Sequence, residues 1–173
     1  MTTLVYDIEA DNLLPGLTKL HCIVTRDIDD PIESYDRYHT PDGLRMGIWS
    51  LEKADRIIAH NQIGYDLEAI SKLYPNFKRP PWERVVDTLV LSRLAYPDRH
   101  GGHSLKAWAE YLSKRGDIDV PEKYFISDWS NQSIEDYLTR CETDVMINIK
   151  VYEFLIRQMK GTFGGEELWN QIV

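Results

Sequence analysis

The sequence predicts an α/β domain in which helices cover both faces of a mixed five-stranded sheet. Near the N-terminus, three strand-like segments are separated by short loops, as in an antiparallel meander. The next two strand-like segments are reached through helical segments, and a helix between two strands makes a parallel crossover. The C-terminal third carries apolar residues at helical spacing. This succession is typical of layered α/β domains.

The elements follow in order along the chain. Strands are predicted where β-branched and aromatic residues form short apolar or alternating runs, at residues 4–9, 20–27, 32–38, 56–60 and from Val85. Helices are predicted between turns rich in Gly and Pro, at residues 44–53, 66–73, 88–95 and 104–113. A last long helix is predicted to begin after the capping box at Ser133 and Asp136 and to stop at Gly161.

Length and composition indicate an ordinary globular protein. The 173 residues suit a single domain spanning residues 1–173, with 43% hydrophobic and 28% charged residues. No segment resembles a membrane span or a secretory signal, so we expect a cytoplasmic protein without membrane association. Cys22 and Cys141 lie among apolar neighbours and are predicted to be reduced core residues. The five tryptophans are expected to lie mostly in the core.

The charge of the chain is unevenly distributed. The net charge of −8 argues against a protein that holds duplex DNA through broad phosphate neutralisation. Residues 72–115 nevertheless contain nine basic and four acidic side chains. That segment fits either a groove that follows a nucleic-acid backbone or a solvated helical face.

Two carboxylates at the end of the first strand are the most informative local feature. Asp7 and Glu9 point to the same face of a strand, roughly 6–7 Å apart. At the edge of a core they repel each other and lose solvation, and a cation would offset that cost. Oxygen ligands of this kind favour Mg²⁺ or Mn²⁺ over Zn²⁺. The alternative is a strand that simply runs into a polar loop.

Two further stretches carry acids at the edges of predicted elements. The segment His60-Asn61-Gln62-Ile63-Gly64-Tyr65-Asp66 follows a strand and ends at the start of a helix, where Asp66 is either a site residue or an N-cap. In the last helix Asp144 lies beside the apolar stripe. An acid placed there is costly unless it is paired.

Taken together, these motifs resemble the DEDD superfamily of 3′→5′ exonucleases, and in particular the proofreading domain of family A DNA polymerases of short-tailed phages. The resemblance covers nearly the whole chain. It is carried by Asp7-Ile8-Glu9, His60-Asn61-x4-Asp66, Asp144-Val145 and two intervening stretches, Asp87-Thr88-Leu89-Val90-Leu91-Ser92-Arg93-Leu94 and His103-Ser104-Leu105-Lys106-Ala107-Trp108.

The resemblance implies a ribonuclease-H-like fold and a site of four acids, here Asp7, Glu9, Asp66 and Asp144. It implies two divalent cations, Mg²⁺ or Mn²⁺, about 3.5–4 Å apart across the scissile phosphate. Asp7, Glu9 and Asp144 would hold one cation, and Asp7 and Asp66 the other. The implied activity is release of nucleoside monophosphates from the 3′ ends of single-stranded or frayed DNA.

One position departs from the family pattern. The family places a water-orienting tyrosine four residues before the last acid, or a histidine five before it, but here those positions hold Arg140 and Thr139. Tyr137 lies seven residues before Asp144. Arg140 is either a catalytic residue, touching the phosphate or the attacking water, or an i, i+4 ion partner of Asp144.

Substrate contacts are expected from residues near the first two motifs. Leu13 occupies the position of an aliphatic wedge in the family, with a core-closing loop leucine as the alternative. His60 and Asn61 are expected either to shape the loop or to contact the 3′ nucleotide, and Tyr65 either stacks on a base or is simply buried. The chain is expected to be either a stand-alone exonuclease, with a separately encoded DNA polymerase as a candidate partner, or an excised polymerase domain. The alternatives are a ribonuclease D-like RNA exonuclease and an inactive module that binds 3′ ends or a polymerase.

Overall fold

The computed structural model describes residues 1–121 and 132–162. Its strands are β1 (Thr3–Ala10), β2 (Leu20–Asp27), β3 (Asp36–Tyr38), β4 (Arg56–Ala59) and β5 (Val85–Asp87). Its α-helices are α1 (Pro41–Lys53), α2 (Asp66–Leu73), α3 (Thr88–Ala95), α4 (Leu105–Arg115) and α5 (Ile134–Thr162), and a 3₁₀ turn spans Trp82–Arg84. All the predicted elements are present.

The strands form one mixed sheet in the order β3-β2-β1-β4-β5. The pairs β1–β2 and β2–β3 are antiparallel, whereas β1–β4 and β4–β5 are parallel. The predicted fold class is therefore confirmed. The third strand is shorter than predicted, because Ile32 and Ser34 make local turn hydrogen bonds instead of pairing with β2.

Helices cover both faces of the sheet and enclose two apolar cores. One core joins Val5 and Val24 of the sheet to Trp108 of α4 and to the inner face of α5. The other joins the opposite face of the sheet to the buried side chains of α1 and α2. Alternation along β1 assigns its odd-numbered residues, including Asp7 and Glu9, to the α5 face.

The core predictions hold for the cysteines and for one tryptophan. Cys22, Cys141 and Trp108 are buried, and both thiols are free. The prediction is wrong for Trp49 and Trp82, which are 57% and 58% exposed. Each lies on an outer surface, where the edge of an indole can meet water. Trp129 and Trp169 fall outside the described residues.

Side-chain caps fix several helix starts. Ser133 and Asp136 exchange hydrogen bonds at the start of α5, which confirms the predicted capping box. Ser104 caps α4 and Asp87 caps α3. Asp66 does not cap α2, because it is the first helical residue. Of the helices in the described ranges, none combines the length and hydropathy that a bilayer crossing requires.

Candidate active site

Three carboxylates from two elements meet at the end of β1. Asp7 and Glu9 project from β1, and Asp144 projects from α5, which packs across that face of the sheet. One oxygen of each lies within 4.8 Å of the others. Asp144 is buried, as its place beside the apolar stripe predicts. Residues 137 positions apart in sequence thus form one cluster of hard oxygen donors.

Asp66 adds a fourth acid on the neighbouring side. It is buried at the first turn of α2 and lines the same groove as Asp7. Burial raises the pKa of Asp66 to about 7, although a hydrogen bond from its own main-chain N–H lowers it in part. The negative charges of Asp87 and Asp144 raise this pKa further. The four acids singled out from the sequence are therefore electrostatically linked.

The other acids show the same mutual repulsion. Burial raises the pKa of Asp7 well above its ordinary value, and the charges of Asp144, Asp66 and Glu9 add to the shift. Burial likewise raises the pKa of Glu9 to about 7, although the guanidinium of Arg140 opposes that shift. Carboxylates that resist ionisation in this way are stabilised as anions by a nearby cation. The cluster therefore favours the binding of positive charge.

Arg140 provides a positive charge within the chain itself. Its Nε lies 3.1 Å from Glu9 Oε1 and 3.8 Å from Asp144 Oδ2. The i, i+4 ion pair weighed from the sequence is thus present. Arg140 also contacts Glu9, which spacing within one helix does not predict. Tyr137 stacks on His21 of β2 with ring centroids 4.3 Å apart, two helical turns before Asp144.

The loop between β4 and α2 is held by buried polar groups. Asn61 has a φ of 66°, in the left-handed region that asparagine tolerates. A side chain at Gly64 would come within 2.7 Å of the Asn61 carboxamide oxygen, so close approach accounts for this glycine. Beneath the loop Gln62 accepts a hydrogen bond from Tyr6 and donates one to the Val86 carbonyl. Sequence reasoning missed Gln62, and its position in a polar loop gave no signal.

A second polar connection joins this loop to α5. The Thr88 hydroxyl lies 2.9 Å from His60 Nδ1 and donates a 2.6 Å hydrogen bond to Asn148 Oδ1. Thr88 and Asn148 are buried, and burial lowers the pKa of His60 to about 4, so its imidazole is neutral at pH 7. Asn148 was missed, although a polar residue one helical turn after Asp144 on an apolar face is a usable signal.

Two open grooves border the acids. The first, about 410 Å³, is lined by residues that include Asp7, Asp66, His60, Asn61, Leu13 and Tyr65. The second, about 520 Å³, runs past Glu9 and is also lined by Leu13 and Tyr65. Leu13 is 71% exposed between the two grooves, so the core-closing alternative is wrong. Tyr65 is half-buried, and its hydroxyl donates a 2.8 Å hydrogen bond to the Asn12 carbonyl.

Fixed contacts hold the loop that presents Leu13. Asp11 accepts hydrogen bonds from the main-chain N–H groups of Thr18 and Lys19 at the far end of the loop, each 2.9 Å long. Lys72 of α2 donates to the carbonyls of Pro15 and Leu17. Lys72, the first residue of the basic segment 72–115, therefore stabilises this loop and does not lie on a solvated helical face.

Comparisons with known proteins find sequence relatives among phage DNA polymerases. No family model matches the chain. The DNA-directed DNA polymerases of Enterobacteria phage T3 and Escherichia phage T7 are 35% and 33% identical to it over 135 residues. Each alignment covers 64% of this chain, and the chain spans about a fifth (19%) of each polymerase.

Solved structures of nucleases share the fold. Brucella melitensis NrnC bound to pGG aligns with a TM-score of 0.63 at 21% identity, over 91% of this chain and 73% of that one. The EXO domain of Aedes aegypti Nibbler aligns with a TM-score of 0.67 at 11% identity, over 98% and 84%. Escherichia coli RNase D gives 0.55 at 15% identity, over 92% and 40%. The chain resembles the DEDD exonucleases. This likeness confirms the ribonuclease-H-like fold.

Proposed function

We propose that this chain is a metal-dependent 3′→5′ exonuclease. It hydrolyses the terminal phosphodiester bond at the 3′ end of single-stranded or frayed DNA and releases nucleoside monophosphates. The observation that carries the proposal is the cluster of Asp7, Glu9 and Asp144, with oxygens within 4.8 Å of one another beside an open groove. Similarity to phage DNA polymerases and to solved nucleases supports a nuclease activity.

The donor set fits hard divalent cations. Mg²⁺ and Mn²⁺ prefer carboxylate oxygens and need few of them, so four acids suffice for two cations. Asp7, Glu9 and Asp144 would hold one, and Asp7 and Asp66 the other. When bound, such cations would supply a hydroxide nucleophile and neutralise the charge that develops on the leaving 3′ oxygen. A structure of Brucella melitensis NrnC contains bound Mg²⁺, which supports this assignment by analogy.

The residues around the acids would position the substrate. Leu13 would wedge between or against the terminal bases, since it lies exposed between the two grooves. Tyr65 would stack on a base, and His60 and Asn61 would contact the 3′ nucleotide from the wall of the first groove. Arg140 would touch the scissile phosphate or the attacking water with its guanidinium, in place of the usual tyrosine.

DNA is the proposed substrate because the sequence relatives are DNA polymerases. The same relationship suggests proofreading, or DNA repair and degradation, with a DNA polymerase as the class of partner. RNA is the second candidate, because the fold is shared with Escherichia coli RNase D, described as an exoribonuclease. The two substrates differ in the 2′-hydroxyl, which a protein can recognise directly.

The deciding experiment uses one oligonucleotide sequence made as DNA and as RNA, labelled at either end, with Mn²⁺. A 5′ label should give a ladder of shortened strands, and a 3′ label should appear at once as a mononucleotide. Faster digestion of RNA would transfer the assignment to the ribonuclease alternative. Binding of 3′ ends without cleavage of either substrate would identify an inactive binding module. Ca²⁺ should support binding but little cleavage, because its coordination is larger and looser.

A further inference from the structure

Arg140 lies where its positive charge meets the same oxygens that a divalent cation would use. Its Nε approaches Glu9 and Asp144, two of the three acids in the 4.8 Å cluster. The carboxylate side chains are 14% and 11% exposed, whereas the Arg140 side chain is 29% exposed. Arg140 is therefore the more exposed partner in both ion pairs.

We propose that Arg140 is a resident counter-ion of this acid cluster, and that its ion pairs compete with the binding of a divalent cation. Arg140 neutralises Glu9 and Asp144 while the cation is absent, and it turns away from at least one of them when the cation binds. The inference rests on the proposed metal site and adds a role for Arg140 before the substrate arrives.

Competition follows from charge and from distance. A Mg²⁺ ligand oxygen lies about 2.0–2.1 Å from the ion, so an ion on Glu9 would lie within a few ångströms of the guanidinium. Arginine does not lose its proton in proteins, so the repulsion cannot be relieved by deprotonation. Movement of the side chain is the remaining response, and its flexible stem permits this without displacement of α5.

The same movement connects the two roles assigned to Arg140. The Arg140 Cα lies one helical turn before Asp144. A guanidinium released from the carboxylates therefore stays close to the acid cluster. The grooves beside Asp7 and Glu9 open at this point. A phosphate bound there would offer the displaced guanidinium new anionic oxygens, with bidentate geometry available.

Calorimetric titration of Mn²⁺ into the metal-free protein at pH 8, without nucleic acid, tests the competition. Arg140→Gln should bind Mn²⁺ more tightly than the wild type, on the order of tenfold, the size of a typical coupling between linked interactions. Arg140→Lys should stay close to the wild type, because the charge is kept. Removal of Arg140 takes away the charge that opposes the raised pKa of Glu9. The titration is therefore run in two buffers of different ionisation enthalpy, so that any protons displaced by Mn²⁺ are counted.

Arg37→Gln is the matched control. Arg37 also pairs with two acids of α5, at 2.8 Å from Glu135 and 2.6 Å from Glu142, but it does not contact the acid cluster. Its removal takes away the same charge and should leave Mn²⁺ affinity unchanged. Equal tightening in both glutamine variants would indicate a general charge effect and overturn the proposal.

A second measurement needs no substitution. In ¹⁵N-labelled wild-type protein, addition of Mg²⁺ should shift or broaden the Arg140 Nε–Hε resonance while that of Arg37 stays in place. An unchanged Arg140 resonance at saturating Mg²⁺, or weaker Mn²⁺ binding by Arg140→Gln, would refute the competition. Failure of the wild type to bind Mn²⁺, with Asp7→Asn behaving identically, would refute the proposed metal site itself.

Discussion

The carboxylate of Asp87 accepts a 2.9 Å hydrogen bond from the main-chain N–H of Asn61. It also accepts one of 3.0 Å from Ile63, and it caps α3 through Leu89 and Val90. One buried acid at the end of β5 therefore fixes the loop that leads to Asp66. The position of Asp66 depends on this link as much as on the fold of α2.

Asp87→Ala should destabilise the protein strongly. The substitution leaves four main-chain donors without their acceptor and removes an N-cap, which together correspond to about 2–4 kcal/mol of unfolding free energy. Urea denaturation followed by circular dichroism measures the change. Asp117→Ala, which removes a more exposed acid paired with Arg115, should leave the transition almost unchanged. Equal midpoints for the two variants would contradict this account of Asp87.

The raised pKa values predict how stability depends on pH. In the folded chain Glu9 and Asp66 hold their protons up to about pH 7, whereas their ordinary values are 4.5 and 3.8. These two acids make the folded state bind more protons than the unfolded state between about pH 4 and pH 7. His60, whose pKa is lowered from 6.5 to about 4, opposes them by at most one proton in the lower part of this range. The metal-free protein should therefore lose stability as the pH rises, most clearly between about pH 6 and pH 7.

A divalent cation should reverse this trend. Thermal melts from pH 5 to pH 8 in EDTA should show a falling midpoint, and melts in Mg²⁺ should show little decline, because the cation stabilises the ionised acids. The titration of Mg²⁺ should also release protons near pH 6.5. A midpoint in EDTA that rises over this range would show that the acids are not mutually strained.

The fold was largely predictable because hydrophobic pattern and turn residues determine it locally. The capping box at Ser133 and Asp136 sets the start of a helix through hydrogen bonds between residues three apart, and these do not depend on the rest of the fold. The start of the third strand was not predictable, because Ile32 has strand-forming character but its segment closes into local turns. Tertiary context overrides propensity in such a segment.

The acids of the candidate site were predictable from the sequence, but the side chains that contact and position them were not. Asp7 and Glu9 share a face through strand alternation alone, and Asp144 stands out as an acid beside an apolar stripe. The contact of Arg140 with Glu9 joins residues 131 positions apart and depends on how α5 crosses β1. Periodicity within one element carries no such information. Asn148 differs, because its place one helical turn after Asp144 on an apolar face was a signal that the sequence did contain.

Asp7→Ala should abolish metal-dependent digestion while the fold survives. We expect a loss of at least about a hundredfold in rate, because this acid is proposed to contact both cations. The metal-free protein should melt no earlier than the wild type, since removal of Asp7 relieves its repulsion with Asp144, Asp66 and Glu9. Asp36→Ala, which removes an exposed acid of β3, is the control and should keep full activity. Unchanged turnover in Asp7→Ala would remove the two-metal proposal.

Arg140→Ala should lower the rate of cleavage without altering the product. A fall of roughly 10- to 100-fold at saturating Mn²⁺ is expected if the guanidinium stabilises charge on the phosphate or orients the water. Single-turnover digestion of a 5′-labelled oligonucleotide separates this step from binding. Arg37→Ala removes the other arginine that pairs with α5 and should digest normally. Wild-type rates in Arg140→Ala would leave Arg140 as an ion partner alone.

Leu13→Ala should impair digestion of paired ends more than that of single strands. Leu13 is 71% exposed and its loop is held by Asp11 and Lys72, so the substitution should not change the unfolding transition. A lost apolar contact of about 1–2 kcal/mol with the terminal base corresponds to about a 5- to 30-fold decrease in rate on a blunt duplex. Leu94→Ala replaces a leucine of α3 that is 62% exposed and lines neither groove, and it should leave both rates unchanged. If Leu13→Ala slows both substrates equally, the leucine contributes to binding but does not open the terminal base pair.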